Sequence, residues 1–115
     1  MKLIIAVIQP TRLRALQEAL TKVGVDRVTV CDAQEFAKRE DKVPVYRGRS
    51  PETDIFRKIS LEIAVNDDFL ETAIETIRNV ARTGQLGNDG DGKIFVLPLG
   101  ETVQLSSEDR GKSAI

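Results

Sequence analysis

The chain has 115 residues, 41% of them hydrophobic and 30% charged, with 17 basic and 18 acidic side chains for a formal net charge of −1. This composition fits one globular domain with a real core, and near-zero charge with 4% aromatic residues excludes nucleic-acid binding by phosphate neutralisation or base stacking. No histidine and one cysteine exclude a zinc cluster, a Ser–His–Asp triad and an intrachain disulfide within a single chain.

Residues 3–8 (Leu-Ile-Ile-Ala-Val-Ile) are continuously apolar and rich in β-branched side chains, the pattern of a strand buried on both faces. They are too short for a signal-peptide core or a membrane span. With a lone thiol, this points to a cytoplasmic protein without membrane insertion. Pro10 and Thr11 punctuate, with Thr11 as the expected N-cap. Leu13, Leu16, Leu20 and Val23 then share a helical stripe, which Gly24 ends as a C′ residue.

Residues 27–36 read as a second strand, with Cys31 as a small packed residue. The segment 38–54 breaks the pattern with Lys38, Arg39, Lys42, Arg47 and Arg49, with Glu40, Asp41, Glu52 and Asp54, and with Pro44, Gly48 and Pro51. A connection of that length inside a domain is either functional or unable to order itself without a partner. Residues 59–65 alternate as a third strand, with Glu62 on the less apolar face, either solvated or beside a ligand. Asn66 is the expected cap of a second helix, with Asp67 and Asp68 in its first turn. Its stripe of Leu70, Ala73, Ile77 and Val80 echoes the first helix at constant offset.

Four glycines (84, 87, 90 and 92) then fall within nine residues, and Lys93 follows. Such a cluster is first a loop signal. It is also the composition of a phosphate cradle, since glycine lets successive N–H groups turn toward an anion. It matches neither GxxxxGK[ST], because Ile94 follows Lys93, nor a GxGxxG that opens a helix. Residues 94–99 form a fourth strand. The tail 100–115 begins strand-like at 102–105 and then becomes polar and loose.

The order β-α-β-β-α-β predicts an α+β, ferredoxin-like sandwich of one domain, 1–115, with a long loop between strands 2 and 3. Two helices cover one face of such a sheet. Leu3, Ile5 and Val7 nevertheless face opposite to Ile4, Ala6 and Ile8, so the second face is also apolar and needs further copies of the chain as cover.

At this point the sequence resembles the PII signal-transduction proteins over nearly its whole length. The resemblance rests on Asp91-Gly92-Lys93-Ile94-Phe95-Val96 after Arg82-Thr83-Gly84, and on Tyr46-Arg47-Gly48 in the long segment. Pro10, Phe36, Lys58 and the final Ala114-Ile115 add to it. The resemblance implies a homotrimer that is not an enzyme and that binds ATP or ADP, with AMP as a further candidate, between subunits. It implies action on a target protein through a T-loop-like segment, 38–54, in nitrogen and carbon metabolism. The implied nucleotide residues are Thr29, Phe36, Lys38, Glu62 and Ala64, with Gly87, Gly90, Asp91, Gly92 and Lys93 in the nucleotide loop 83–92. Arg39 and Lys58 would meet a small anion, and Lys42, Tyr46, Arg47, Gly48 and Arg49 the partner.

The departures from the family pattern lie at the sites. Pro51 stands where enterobacterial members carry the uridylylated tyrosine. Gln104 and Ser106 replace two tail arginines that reach a neighbour's phosphates. Arg39 replaces a glutamine that completes an Mg²⁺ shell with 2-oxoglutarate; a guanidinium cannot coordinate a metal, so no metal site is expected and Mg²⁺-dependent 2-oxoglutarate binding is lost or weakened. Two further readings stand beside this one: a homologue that is an interaction module or senses another anion such as bicarbonate, and a small acyl-phosphate hydrolase on the same fold. The sign of such a hydrolase would be an Arg/Asn pair poised on a substrate at an anion loop.

Overall fold

The computed structural model describes residues 1–38 and 53–115. Its pivot is β1 (Lys2–Ile8), which runs antiparallel to β3 (Thr53–Val65) on one side and to β4 (Gly92–Pro98) on the other. β2 (Thr29–Lys38) pairs with the outer edge of β3, so the sheet order is β2-β3-β1-β4. The helices α1 (Leu13–Lys22) and α2 (Leu70–Ala81) pack on one face. This is the α+β ferredoxin-like sandwich that the element order predicts.

Pleating decides which side chains meet the helices. Ile4, Ala6 and Ile8 of β1 and Ile59, Leu61, Ile63 and Val65 of β3 are buried against Leu16, Leu20, Ala73, Ile77 and Ala81. Each large aliphatic removed from water there stabilises the fold by about 1.5–3 kcal/mol. The opposite face carries Leu3, Ile5 and Val7, only partly buried, beside Phe95 at 50% and Leu97 at 40% exposure. The second apolar face expected from the β1 sequence is therefore present, and the described residues leave it partly open.

Several boundaries differ from the sequence reading. Strand 2 begins at Thr29 rather than 27, and strand 3 begins at Thr53 rather than 59. Lys38, Thr53 and Asp54, assigned to the long segment, are strand residues, paired as Lys38↔Thr53 and Ala37↔Asp54. Charges hid this stretch, because a two-stranded ribbon is held by backbone pairing and needs no apolar alternation once it leaves the core. Residues 39–52 lie outside the described residues.

Thr11 is not the helix cap: Gln9, in an extended conformation, caps a 3-10 turn, Pro10–Arg12, that Pro10 opens, and Arg12 takes the cap position of α1 without a side-chain bond. Proline at that position has the required φ and lacks an N–H that would be orphaned anyway. Asn66 does take the cap position before Asp67–Phe69, but without a side-chain bond, and its Oδ1 is buried with no partner among the described residues. The tail is not loose. Val103 bridges Arg110, the Gly111 N–H donates to the Thr102 carbonyl at 2.8 Å, and Ala114 is buried.

Candidate functional site

The site grows from one close approach at the end of the sheet. Gly92 pairs with Ile8 and has φ +119, and a Cβ there would stand 1.7 Å from the Val7 carbonyl oxygen. No residue but glycine can bring the chain onto β1 at this point. Residues 82–91 consequently lie across the end of β1.

That loop is closed by its own polar groups. The Asp91 carboxylate accepts the Thr83 N–H at 2.8 Å, the Thr83 hydroxyl at 2.6 Å and the Asn88 N–H at 2.8 Å. In return, Asn88 Oδ1 accepts the Gly90 N–H at 2.8 Å and its carbonyl accepts the Asp91 N–H at 2.9 Å, forming a capping box around the 3-10 turn Asp89–Asp91. The Thr83 hydroxyl, then the Thr83 and Asn88 N–H groups and the Arg12 charge, hold the Asp91 carboxyl below its ordinary range, while desolvation opposes them. Asp91 is thus an internal anion around which the loop's donors gather.

Between this loop, α2 and β4 lies a cavity of about 500 Å³. Its floor is apolar, with Ile74, Ile77, Ala81, Ile94 and Val96, and Arg78, Arg82 and Lys93 add positive charge. Its size is that of a small-molecule pocket. Gly87, Asp91, Gly92 and Lys93 line it; Gly90 does not. Gly90 instead turns its carbonyl toward Lys58 and Gln9, both of which donate to it, Gln9 at 2.5 Å. Lys58 is 3% exposed.

The other implied nucleotide residues stand elsewhere. Thr29 and Glu62 are direct cross-strand partners, and Ala64 lies one pleat further along the same, helix-free face. Glu62 also has the Cys31 thiol 4.0 Å from its Oε1. Thr29 shares its row with Ile5 and Phe95, whereas the loop begins at the row of Ile8 and Gly92. Three strand spacings and three residues separate them, roughly 17 Å. Phe36 pairs with Ile55 on the β2–β3 ribbon, where both are exposed. Lys38 ends β2, five residues beyond the Ala33 that pairs with Lys58. Arg39, Lys42, Tyr46, Arg47, Gly48 and Arg49 lie outside the described residues.

Sequence reasoning missed Gln9, Thr83 and Asn88 as builders of the site. The only available signal was Asn88 three residues before Asp91, a capping-box spacing. Among the described residues no three His, Cys, Asp or Glu side chains converge as a metal site, and no helix is long and apolar enough to cross a membrane.

A two-helix ferredoxin-like sandwich with a glycine-rich loop and a long β2–β3 ribbon defines a narrow class. The model of the nitrogen regulatory protein P-II family matches residues 1–109. The chain is 40% identical over all its length to nitrogen regulatory protein GlnK1 of Methanosarcina mazei, covering 97% of it. It is 38% identical to nitrogen regulatory protein P-II of Azospirillum brasilense, with both chains fully covered. The structure of Bacillus subtilis GlnK superposes with a TM-score of 0.81 at 26% identity, over 99% of this chain and 97% of that one. The chain belongs to the P-II family of nitrogen regulatory proteins.

Proposed function

We propose that this P-II protein is a cytoplasmic homotrimer that binds an adenine nucleotide between subunits and controls a partner protein through segment 38–54, without catalysing a reaction. The observation that carries this reading is the split of the implied nucleotide residues. Thr29, Glu62 and Ala64 sit on the helix-free face of β2–β3, and the glycine-rich loop lies across the end of β1 where β4 starts, roughly 17 Å from Thr29. One chain cannot close both on one ligand. A ring of copies in which one edge meets the next can, because a head-to-tail interface closes by rotation. Such a ring also covers Ile5, Phe95 and Leu97.

Lys93 supplies the phosphate charge, with Arg82 beside it in the cavity. The N–H groups of Gly90 and Asp91 are bonded within the loop, so nucleotide binding is weak unless the loop rearranges. That same closure favours a second reading, an interaction module that takes no nucleotide. An anion site at Lys58 would take a carboxylate or bicarbonate without a metal ion; Arg39, the other residue implied for it, lies outside the described residues. Calorimetry with ATP, ADP and AMP on the native protein and on Lys93→Ala separates the readings: binding lost in the variant supports the nucleotide site, and no heat from any of the three supports the module. Titration with 2-oxoglutarate and Mg²⁺, repeated with Arg39→Gln, tests the anion pocket. Binding that appears only in the variant supports it.

A further inference from the structure

Two donors from distant segments converge on one carbonyl, that of Gly90. Gln9, the residue after β1, donates its Nε2 at 2.5 Å, and Lys58 of β3 donates its ammonium. They stand 81 and 32 residues away in sequence, so only the fold unites them. Lys58 is almost wholly buried, and no carboxylate pairs with it among the described residues. An ammonium in such a position depends on the acceptors it finds. The acceptor found here belongs to the peptide whose other end, the Asp91 N–H, donates to the Asn88 carbonyl at 2.9 Å. One peptide plane is therefore pinned on both sides. Its next residue carries the carboxylate that gathers Thr83 and Asn88.

We propose that Gln9 is a positioning residue for the nucleotide loop: with Lys58 it holds the Gly90–Asp91 peptide, and either donor alone keeps the loop in place. The proposal rests on the nucleotide reading for its effect on affinity, and on the apo protein for the latch itself. Redundancy has a purpose here. An anion that draws Lys58 away from Gly90 leaves Gln9 in place, so the loop does not collapse when the anion pocket fills. Loss of both donors frees the peptide.

The test compares Gln9→Met, Lys58→Met, the double variant and Gln9→Glu. Glutamate is isosteric with glutamine but offers no donor, and its carboxylate takes the Lys58 ammonium for itself. Gln9→Glu therefore removes both donors at once and behaves like the double variant. In the nucleotide-free protein, the Asp91 amide nitrogen shift and its hydrogen-exchange protection report the latch. Each methionine single leaves both near native, and the double and Gln9→Glu lose them. In calorimetry with ADP, each single weakens binding less than about twofold, and the double and Gln9→Glu about tenfold or more, beyond the product of the singles. A native-like Asp91 amide in the double variant, strictly additive losses, or Gln9→Glu behaving like Gln9→Met would each overturn the proposal. Absence of ADP binding in the native protein would overturn the nucleotide reading, with the amide measurements still deciding the latch.

Discussion

Asp91 and Thr83 are joined twice, the Thr83 N–H reaching Oδ2 at 2.8 Å and the Thr83 hydroxyl reaching Oδ1 at 2.6 Å. The pair draws the two ends of the glycine-rich loop together. A glycine-rich segment loses much conformational entropy on ordering, and this bidentate contact offsets part of that loss.

Acid should open this closure. The Asp91 carboxyl is held below its ordinary value of 3.8, so its contribution is complete above that value and falls away as pH drops through the lowered folded value. Amide exchange at Thr83 and Asn88, followed from neutral pH to about 2, should show protection lost only at the acid end. Asp91→Asn should abolish that step, since a side-chain amide has no carboxyl to protonate. A step that persists in the variant would assign it to another group.

Two glycines in the same loop should respond differently to alanine. At Gly92 the added Cβ strikes the Val7 carbonyl at 1.7 Å, so Gly92→Ala must part β4 from β1, at a cost of about 3 kcal/mol or more. At Gly84 nothing lies within 4 Å, and only the positive φ opposes the change, costing about 1 kcal/mol. Urea unfolding of the two variants checks the contrast; equal losses would place the strain elsewhere.

Light scattering at micromolar concentration should give about three times the chain mass of 12.7 kDa. Phe95→Glu puts a charge on the helix-free face next to Ile5, outside the core of the single chain. It should reduce the mass to that of one chain while leaving the helical circular dichroism unchanged. A native protein that remains monomeric would remove the intersubunit site.

Gln104 and Ser106 stand where the family resemblance places two phosphate-reaching arginines. Each charged hydrogen bond regained contributes about 1.5–3 kcal/mol. The paired change Gln104→Arg with Ser106→Arg should tighten ATP binding by about 10²–10⁴, and AMP binding less. Equal gains for ATP and AMP would show that these positions do not meet the outer phosphates.

The fold was legible because it is written in local patterns. The apolar run of β1, the stripes of α1 and α2 and the alternation around Leu61 and Ile63 each set an element and the side chains it buries. The β2–β3 ribbon was not, because Arg57 and Lys58 broke the alternation that an isolated strand needs while backbone pairing with Gln34 and Ala33 carried it through.

For the site, the sequence by itself determined the glycine cluster, Lys93 and the family, since these depend on residues adjacent in the chain. Tertiary structure decided what they do. It turned Asp91 inward onto Thr83 and Asn88, set Thr29 three strands and Glu62 two strands from β4, where the loop ends, and brought Gln9 and Lys58 together on the Gly90 carbonyl. Those contacts follow from sheet register, a long-range property that no local periodicity encodes.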